Sequence, residues 1–164
     1  LAKVASTYFL QMLHQTENFP SVILRLFLTY GPGQDMQRFL PQTIRGCLED
    51  KPFPTSSGEQ LRDFCHVDDT ITAIMHALDA SKVEGEVFNI ATGKPITIRE
   101  MIQKVCKITG YGNPQYGHLP YRPGENMALY ANISKAKKFL HWEPAITLDE
   151  GLKKTIDWYT KDHV

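Results

Sequence analysis

A seven-residue apolar run, Val22 to Leu28, is the feature that most restricts how this chain can fold. The run is aliphatic or aromatic apart from Arg25, and a Tyr-Gly-Pro-Gly turn sequence at residues 30–33 follows it. Strands of parallel sheets that are covered by helices on both faces have such continuous apolar runs, and seven residues is a typical strand length. The run therefore predicts a buried parallel strand in an α/β protein.

Most of the other patterns are helical. Thr97 with Glu100 and Thr147 with Glu150 form two capping boxes, in which a hydroxyl and a carboxylate satisfy backbone N–H groups at a helix start. Apolar residues three and four positions apart follow each box, and Gly110 ends the first of these helices. Further helices are predicted over Leu1–His14, from Pro41, from Asp68 and from Asn132.

Predicted strands are scarce by comparison. Besides Val22–Leu28, only Val87–Ala91 has a strand pattern, and residues 111–127 are interrupted by prolines and glycines as in an irregular arm. Two strands are too little sheet for a self-sufficient doubly wound fold, although no repeat or linker divides the chain. We therefore expect one unit that is part of a larger doubly wound domain.

The charge balance and the cysteines exclude several functions. The chain has 164 residues with 18 Lys+Arg and 18 Asp+Glu, whereas a nucleic-acid or anionic-membrane surface needs a basic excess. The longest apolar run is also far too short to span a bilayer. Cys47, Cys65 and Cys106 are odd in number and far apart in sequence, and no CxxC pair indicates zinc. This pattern favours a reducing cytoplasm over a disulfide framework.

Residues 58–69, Gly-Glu-Gln-Leu-Arg-Asp-Phe-Cys-His-Val-Asp-Asp, are the most informative stretch. Arg62 lies between a glycine turn and a predicted helix start, where a guanidinium can face a cleft and bind a phosphate through its planar fork. Composition alone favours a simpler interpretation, in which Arg62 pairs with Asp63 or Asp69 on the surface. Without further information, the sequence leaves both interpretations open.

The same stretch has two further interpretations, neither of which we adopt. His66, Asp68 and Asp69 are metal-ligand types, but their spacing matches no standard site, and Asp68 is already the predicted helix cap. Cys65 and His66 are a nucleophile and base by type, but neighbours on a strand point to opposite faces. Arg122, in the turn sequence of residues 121–125, is an ordinary loop arginine when it is considered alone.

Taken together and in this order, the motifs resemble the C-terminal half of the extended short-chain dehydrogenase/reductase family, which includes NAD(P)-dependent nucleotide-sugar epimerases, 4,6-dehydratases and ketoreductases. The matching segments are Arg25–Pro32, Arg62–Phe64, His66–Asp69, Val87–Ile90, Arg122–Glu125, Ser134–Ala136, Trp142–Pro144 and Glu150–Leu152. The resemblance implies an α/β fold, the last part of a doubly wound (Rossmann-like) parallel sheet plus a smaller C-terminal substrate-binding subdomain. Residues 1–164 would be the C-terminal portion of an NAD-dependent epimerase/dehydratase-type domain.

The resemblance also implies a role for the first helix. Lys3–Ser6 looks like the continuation of the family's Tyr-x-x-x-Lys motif, so Lys3 would be the catalytic lysine that binds the nicotinamide ribose and lowers the pKa of the tyrosine. That tyrosine would lie four residues before Lys3, and no Gly-rich cofactor-binding turn occurs in the sequence. NAD or NADP would therefore be bound mostly by a preceding half, with Leu26, Phe27 and Leu28 lining its nicotinamide end. The isolated chain is expected to be incomplete for catalysis.

The remaining family positions concern the substrate. Arg62 and Arg122 match two arginines that clamp the diphosphate of a sugar nucleotide, and Glu125 is similar to an acidic residue near the ribose. Two guanidinium forks can neutralise a diphosphate without a basic patch, which is compatible with zero net charge. The other implied substrate residues are Leu28, Gln37, Arg38, Phe39, Leu40, Phe53 and Pro54. Many family members have asparagine where this chain has Leu28, a departure that bears on sugar preference.

These implications lead to a functional expectation. We expect part of an enzyme that modifies nucleoside-diphosphate sugars by hydride transfer with NAD(P): an epimerase, a 4,6-dehydratase or a 4-ketoreductase. The alternative is a non-catalytic domain for sugar-nucleotide binding or protein interaction. The expected partners are a nucleoside-diphosphate sugar and, through Leu1–His14, a second copy of the chain. No metal, nucleic acid or membrane partner is expected, and the expected location is the cytoplasm.

Overall fold

The computed structural model describes residues 1–161 and has the predicted α/β architecture; the last three residues of the predicted 1–164 unit lie outside the described part. The helices are α1 (Ala2–Glu17), α2 (Phe39–Leu48), α3 (Val67–Asp79), α4 (Ile98–Thr109), α5 (Ser134–Phe139) and α6 (Leu148–Thr160). The strands are β1 (Ile23–Leu26), β2 (Leu28–Tyr30), β3 (Pro52–Pro54), β4 (Leu61–Arg62), β5 (Phe64–His66), β6 (Val87–Ile90), β7 (Ile96–Thr97), β8 (Asn113–Gln115) and β9 (Ala128–Leu129). Within residues 1–161, no helix combines the length and apolar character that crossing a membrane requires.

The apolar run that predicted one strand forms two. β1 pairs in parallel with β6, and β2 pairs in parallel with β5, so the predicted parallel pairing is confirmed. Phe27 lies between β1 and β2, and its N–H donates to the Ile90 carbonyl (3.1 Å). The predicted burial is wrong for part of the run, because Leu26 and Leu28 are 49% and 40% exposed. The chain thus leaves one parallel pair and enters another at Phe27.

The remaining strands are too short for sequence periodicity to reveal them. β4 is the central strand of a three-stranded sheet, antiparallel to β7 and parallel to β9. β3 pairs in parallel with β8, which lies within the predicted irregular arm over residues 111–127. These pairings join segments that are distant in sequence, and they bring the arm against the central part of the chain.

β5 separates two hydrophobic cores. Successive side chains of a strand point to opposite faces. Accordingly, Phe64 packs in a core with side chains of α2, α4 and α6, whereas Cys65 packs in a second core with side chains of α3, β6 and α5. Because β5 is held from both sides, the position of β4 immediately before it is fixed as well.

The helix starts follow local sequence signals, with two adjustments. Both predicted capping boxes are formed at α4 and α6. The cap of α3 is His66 rather than the predicted Asp68, because the His66 Nδ1 accepts the Asp68 N–H (3.2 Å). Ile133 holds the cap position of α5, and the side chain of the predicted cap, Asn132, instead accepts the Ser134 N–H (2.9 Å).

α1 is the helix with the least burial. Thr7 is its one buried residue, and the predicted apolar stripe faces outward, with Tyr8, Phe9 and Met12 exposed by 68%, 56% and 47%. Contiguous exposed apolar surface of this kind commonly marks a contact surface. The helix therefore presents an apolar face that the described residues do not cover.

Candidate functional site

Arg62 is buried in the central strand of the three-stranded sheet, where it is 9% exposed. Its Nη1 donates to the Leu61 carbonyl (2.8 Å), and its Nη2 forms an ion pair with the Glu125 carboxylate. A buried guanidinium requires an opposite charge, because an unpaired one costs several kcal/mol, about 3–5. Glu125 supplies that charge from 63 positions further along the chain. The predicted surface pairing of Arg62 with Asp63 or Asp69 is therefore wrong.

Asp63 is fully engaged with backbone groups instead. Its Oδ1 accepts the N–H (2.8 Å) and the hydroxyl (2.6 Å) of Thr92, and its Oδ2 accepts the N–H groups of Gly93 (2.9 Å) and Ala131 (3.4 Å). The carboxylate thus joins the start of β5 to the loop after β6 and to the segment after β9. It holds the strand that carries Arg62 in place.

Asp69, Cys65 and His66 also have structural surroundings. The Asp69 carboxylate accepts the N–H groups of Ala145 (2.9 Å) and Ile146 (3.1 Å). Burial raises the pKa of the Cys65 thiol to about 11, so the thiol stays protonated at neutral pH. Burial lowers the pKa of His66, which keeps its ring neutral as a helix cap. No cluster of three or more potential metal ligands occurs within residues 1–161.

Arg122 lies in a turn that ends at Glu125. The Glu125 N–H donates to the Arg122 carbonyl (3.0 Å), and Gly124 between them has a positive φ of 73°. The turn therefore brings the backbone of Arg122 close to the carboxylate that pairs with Arg62. Arg122 is exposed and forms no ion pair with the other described residues, so its guanidinium can reach a bound anion.

The candidates Phe53 and Pro54 lie in β3, next to β8. Phe53 is half-buried, and its ring contacts Gly46 so closely that a Cβ there would lie 2.7 Å from the ring. Near this pair lie two residues, Arg99 and Tyr116, that the sequence did not indicate. The Arg99 guanidinium stacks 4.0 Å from the centre of the Tyr116 ring. The Arg99 Nε also donates to the Ser57 carbonyl (3.0 Å). No sequence signal pairs these two side chains, because Tyr116 lies in the irregular arm.

Leu28 and Phe39 approach the same strand, β5, from two sides. Leu28 is the β-ladder partner of Phe64, and the Phe39 ring packs 6.2 Å from the Phe64 ring. Arg38 and Gln37 precede α2 and are exposed. Leu40 is buried in the first core and has a packing role.

Lys3 and Leu26 lie apart from this network. Lys3 is exposed near the start of α1, and its carbonyl accepts the Thr7 hydroxyl (3.0 Å). No hydrogen bond or ion pair joins Lys3 to the other candidate residues within residues 1–161. The structure thus brings together Arg62, Glu125 and the Arg122 turn, while Lys3 and Leu26 face outward.

Comparisons with known proteins identify the family and the fold of the chain. The model of a family described as "NAD dependent epimerase/dehydratase family" matches residues 1–91. The dTDP-glucose 4,6-dehydratase of Xanthomonas campestris pv. campestris is 30% identical over 96% of this chain and 48% of its own length. The chain therefore spans about half the length of the curated relatives it matches.

Solved structures have the same fold. The UDP-glucose 4-epimerase of Thermotoga maritima with UDP-glucose superposes with a TM-score of 0.90 at 31% identity, over 98% of this chain and 52% of that one. A UDP-glucuronic acid 4-epimerase of Bacillus cereus in complex with UDP-glucuronic acid and NAD gives a TM-score of 0.88 at 33% identity, over 97% and 51%. The described residues thus have the fold of the corresponding part of these enzymes.

Proposed function

The chain belongs to the NAD-dependent epimerase/dehydratase family, and on this basis we propose that residues 1–164 form the C-terminal, substrate-binding portion of an enzyme that modifies a nucleoside-diphosphate sugar. The reaction would be an epimerisation, a 4,6-dehydration or a 4-keto reduction. The observation that carries the proposal is the buried Arg62, which pairs with Glu125 at the end of the turn that holds Arg122. The similar proteins named above act on or bind dTDP- and UDP-sugars.

The proposed role of the two arginines is to bind the diphosphate. Two guanidinium groups match the charge of about −2 that a nucleoside-diphosphate sugar carries, and each can bind phosphate oxygens in a bidentate way. In the structure, the Arg62 Nη2 pairs with the Glu125 carboxylate. A phosphate that binds Arg62 would compete with this carboxylate, which would then be free to accept hydroxyl groups of the ribose.

Phe53 and Pro54 would form the wall beside the base, and Leu28, Arg38 and Phe39 the wall beside the sugar. Phe39 is supported by Phe64, which is itself held in the first core. A wall built on a core keeps its shape when the ligand leaves, which lowers the entropic cost of binding. Leu28, an apolar residue with 40% exposure, would contact the sugar without a hydrogen bond.

An NAD-type cofactor fits only the outer edge of the described residues. Lys3 is exposed and has no ion-pair partner within residues 1–161, so it can donate to ribose hydroxyls. The exposed apolar side chains of Leu26 and Leu28, with Phe27 between them, can cover a nicotinamide ring. The chemistry that such a cofactor supplies when bound is reversible hydride transfer with the sugar. Most of its contacts, and the choice between NAD and NADP, would come from outside these residues.

We also propose that the protein is a cytoplasmic homodimer. The support for a dimer is the exposed apolar stripe of α1, which carries Tyr8, Phe9 and Met12. The support for the location is the presence of three cysteines without a disulfide framework. The stripe lies on the helix that carries Lys3, so a second copy would also cover the proposed catalytic helix.

The diphosphate role is tested by calorimetric titration of the intact protein with UDP and dTDP. Arg122→Ala is the cleaner variant because Arg122 is exposed, whereas Arg62→Ala also leaves Glu125 without its partner. Each loss of a charge-assisted contact of about 1.5–3 kcal/mol weakens binding by roughly 10- to 150-fold. Arg45→Ala is the matched control, because Arg45 is exposed and its ion pair among the described residues is with Glu49, at the end of α2. Unchanged affinity in both Arg62→Ala and Arg122→Ala would contradict the proposal.

A further inference from the structure

Two cysteines that are 59 positions apart in sequence meet in the fold. The Sγ atoms of Cys47, in the last turn of α2, and Cys106, in the last turn of α4, are 3.5 Å apart. A disulfide requires about 2.05 Å between the sulfurs, so the two sulfurs must approach by roughly 1.5 Å to form one. We propose that Cys47 and Cys106 are a redox modification site, at which a peroxide converts the two thiols into a reversible disulfide between α2 and α4.

The residue that covers the pair supports this assignment. A Cβ on Gly112 would lie 2.7 Å from the Cys47 Sγ and 2.9 Å from the Cys106 Sγ. Gly112 has a φ of 125° and its N–H donates to the Asp50 Oδ1 (3.3 Å), which fixes the loop over the sulfurs. No other residue type fits above the pair without displacing one of the thiols.

The two thiols differ in solvent exposure, which determines which of them reacts with the peroxide first. Cys106 is half-buried and Cys47 is fully buried, with burial raising the pKa of Cys47 to about 12. The Cys106 thiol loses its proton and its sulfur attacks a peroxide oxygen; the O–O bond breaks, the leaving hydroxide takes up that proton as water, and Cys106 becomes a sulfenic acid. The Cys47 sulfur then attacks the Cys106 sulfur, the S–O bond breaks, and the leaving hydroxide takes the Cys47 proton as water. In sum, two thiols and one hydrogen peroxide give one disulfide and two waters.

The third cysteine cannot take part. Cys65 lies in the second core, on the other side of β5, and is completely buried there with the Thr70 hydroxyl as its neighbour (3.7 Å). Oxidation is therefore expected to be selective for one pair. The new bond would close a loop that contains β3, where the Phe53 ring already packs on Gly46, one residue before Cys47.

The test treats the protein with hydrogen peroxide and maps its peptides without reduction. We expect a linked peptide pair that contains Cys47 and Cys106, reversal by dithiothreitol, and a free Cys65. The melting temperature should rise by roughly 8–16 °C, since the disulfide closes a loop of about 60 residues. Cys65→Ser is the matched control and should keep both the linkage and the rise, whereas Cys106→Ser should lose both.

Several outcomes would overturn the proposal. The Cys65→Ser variant retains both members of the pair. If Cys47 and Cys106 of this variant are recovered as free thiols after peroxide treatment, the proposal is wrong. Conversion of Cys106 to sulfinic or sulfonic acid without linkage, or a linkage only between separate molecules, would overturn it equally. Because these readouts use the variant that lacks only the uninvolved cysteine, they do not depend on whether Cys47→Ser folds.

Discussion

The Asp63 carboxylate provides the sharpest test of the proposed architecture, through the substitution Asp63→Asn. The side chain is 1% exposed and accepts four hydrogen bonds, from the Thr92 N–H and hydroxyl and from the Gly93 and Ala131 N–H groups. Asparagine has nearly the same shape, but one of its two oxygens is replaced by an amide donor. The substitution therefore changes hydrogen bonding while leaving the packing volume almost unchanged.

The magnitude follows from the two possible orientations of the amide. If the NH2 group replaces Oδ2, it faces the N–H groups of Gly93 and Ala131, and both lose their acceptor. If it replaces Oδ1, the Thr92 hydroxyl can turn to accept, and only the Thr92 N–H is left without a partner. The second orientation is cheaper, yet it still leaves the half-buried Thr92 N–H without its acceptor, at about 1–3 kcal/mol, and weakens the other bonds by removing the charge. The expected loss in free energy of unfolding is about 3–5 kcal/mol.

Urea unfolding followed by circular dichroism measures this loss. A loss of this size is a large fraction of a typical stability of about 5–15 kcal/mol, and it should lower the melting temperature by roughly 6–20 °C. Asp79→Asn is the matched control, because Asp79 is exposed at the end of α3 and should stay within about 0.5 kcal/mol. An Asp63→Asn loss of less than about 1 kcal/mol beyond this control would refute the argument from buried hydrogen bonds.

Two further predictions concern pH and assembly. Burial lowers the pKa of His66 below its ordinary value of 6.5, and the neutral Nδ1 of its ring accepts the Asp68 N–H. Because the unfolded chain protonates His66 more readily than the folded chain does, the free energy of unfolding falls as the pH drops below about 6.5. His66→Asn keeps a capping acceptor that does not titrate. Urea unfolding of this variant between about pH 7 and pH 5 should therefore show a smaller change in the free energy of unfolding with pH than the wild type does. An equal change in both proteins would exclude His66 as the source of the pH dependence. Tyr8→Asp and Met12→Asp on the exposed face of α1 should convert the proposed dimer into a monomer in sedimentation velocity, with Gln103→Asp on the exposed face of α4 as the polar control. A monomeric wild-type protein would refute the proposed dimer.

The features that the sequence predicted correctly are those with short-range causes. Both capping boxes consist of residues three positions apart, so the sequence alone defines them. The continuous apolar character of the Val22–Leu28 run correctly predicted its parallel pairing. It did not predict that Leu26 and Leu28 are partly exposed. The wrong cap of α3 shows the limit even here, because His66 holds the cap position two residues earlier and its ring accepts the Asp68 N–H.

The features that the sequence did not reveal are contacts between distant residues. Asp63 and Asp69 lie within seven positions of Arg62, yet Arg62 pairs with Glu125, because these two carboxylates are occupied by backbone N–H groups of other loops. Cys47 and Cys106 are 59 positions apart in sequence, and no local pattern predicts that their sulfurs meet. Strands of two residues, such as β4, are likewise defined only by the partners that the fold provides.

The position of β5 between two cores has a consequence for how this part of the chain can vary. Inserting or deleting one residue between Arg62 and His66 would exchange the two faces of the strand, so that Phe64 and Cys65 would each enter the wrong core. The same change would move Arg62 out of reach of Glu125. Substitutions of similar volume are tolerable at Phe64 and Cys65, which serve packing, but a change in the number of residues here is not.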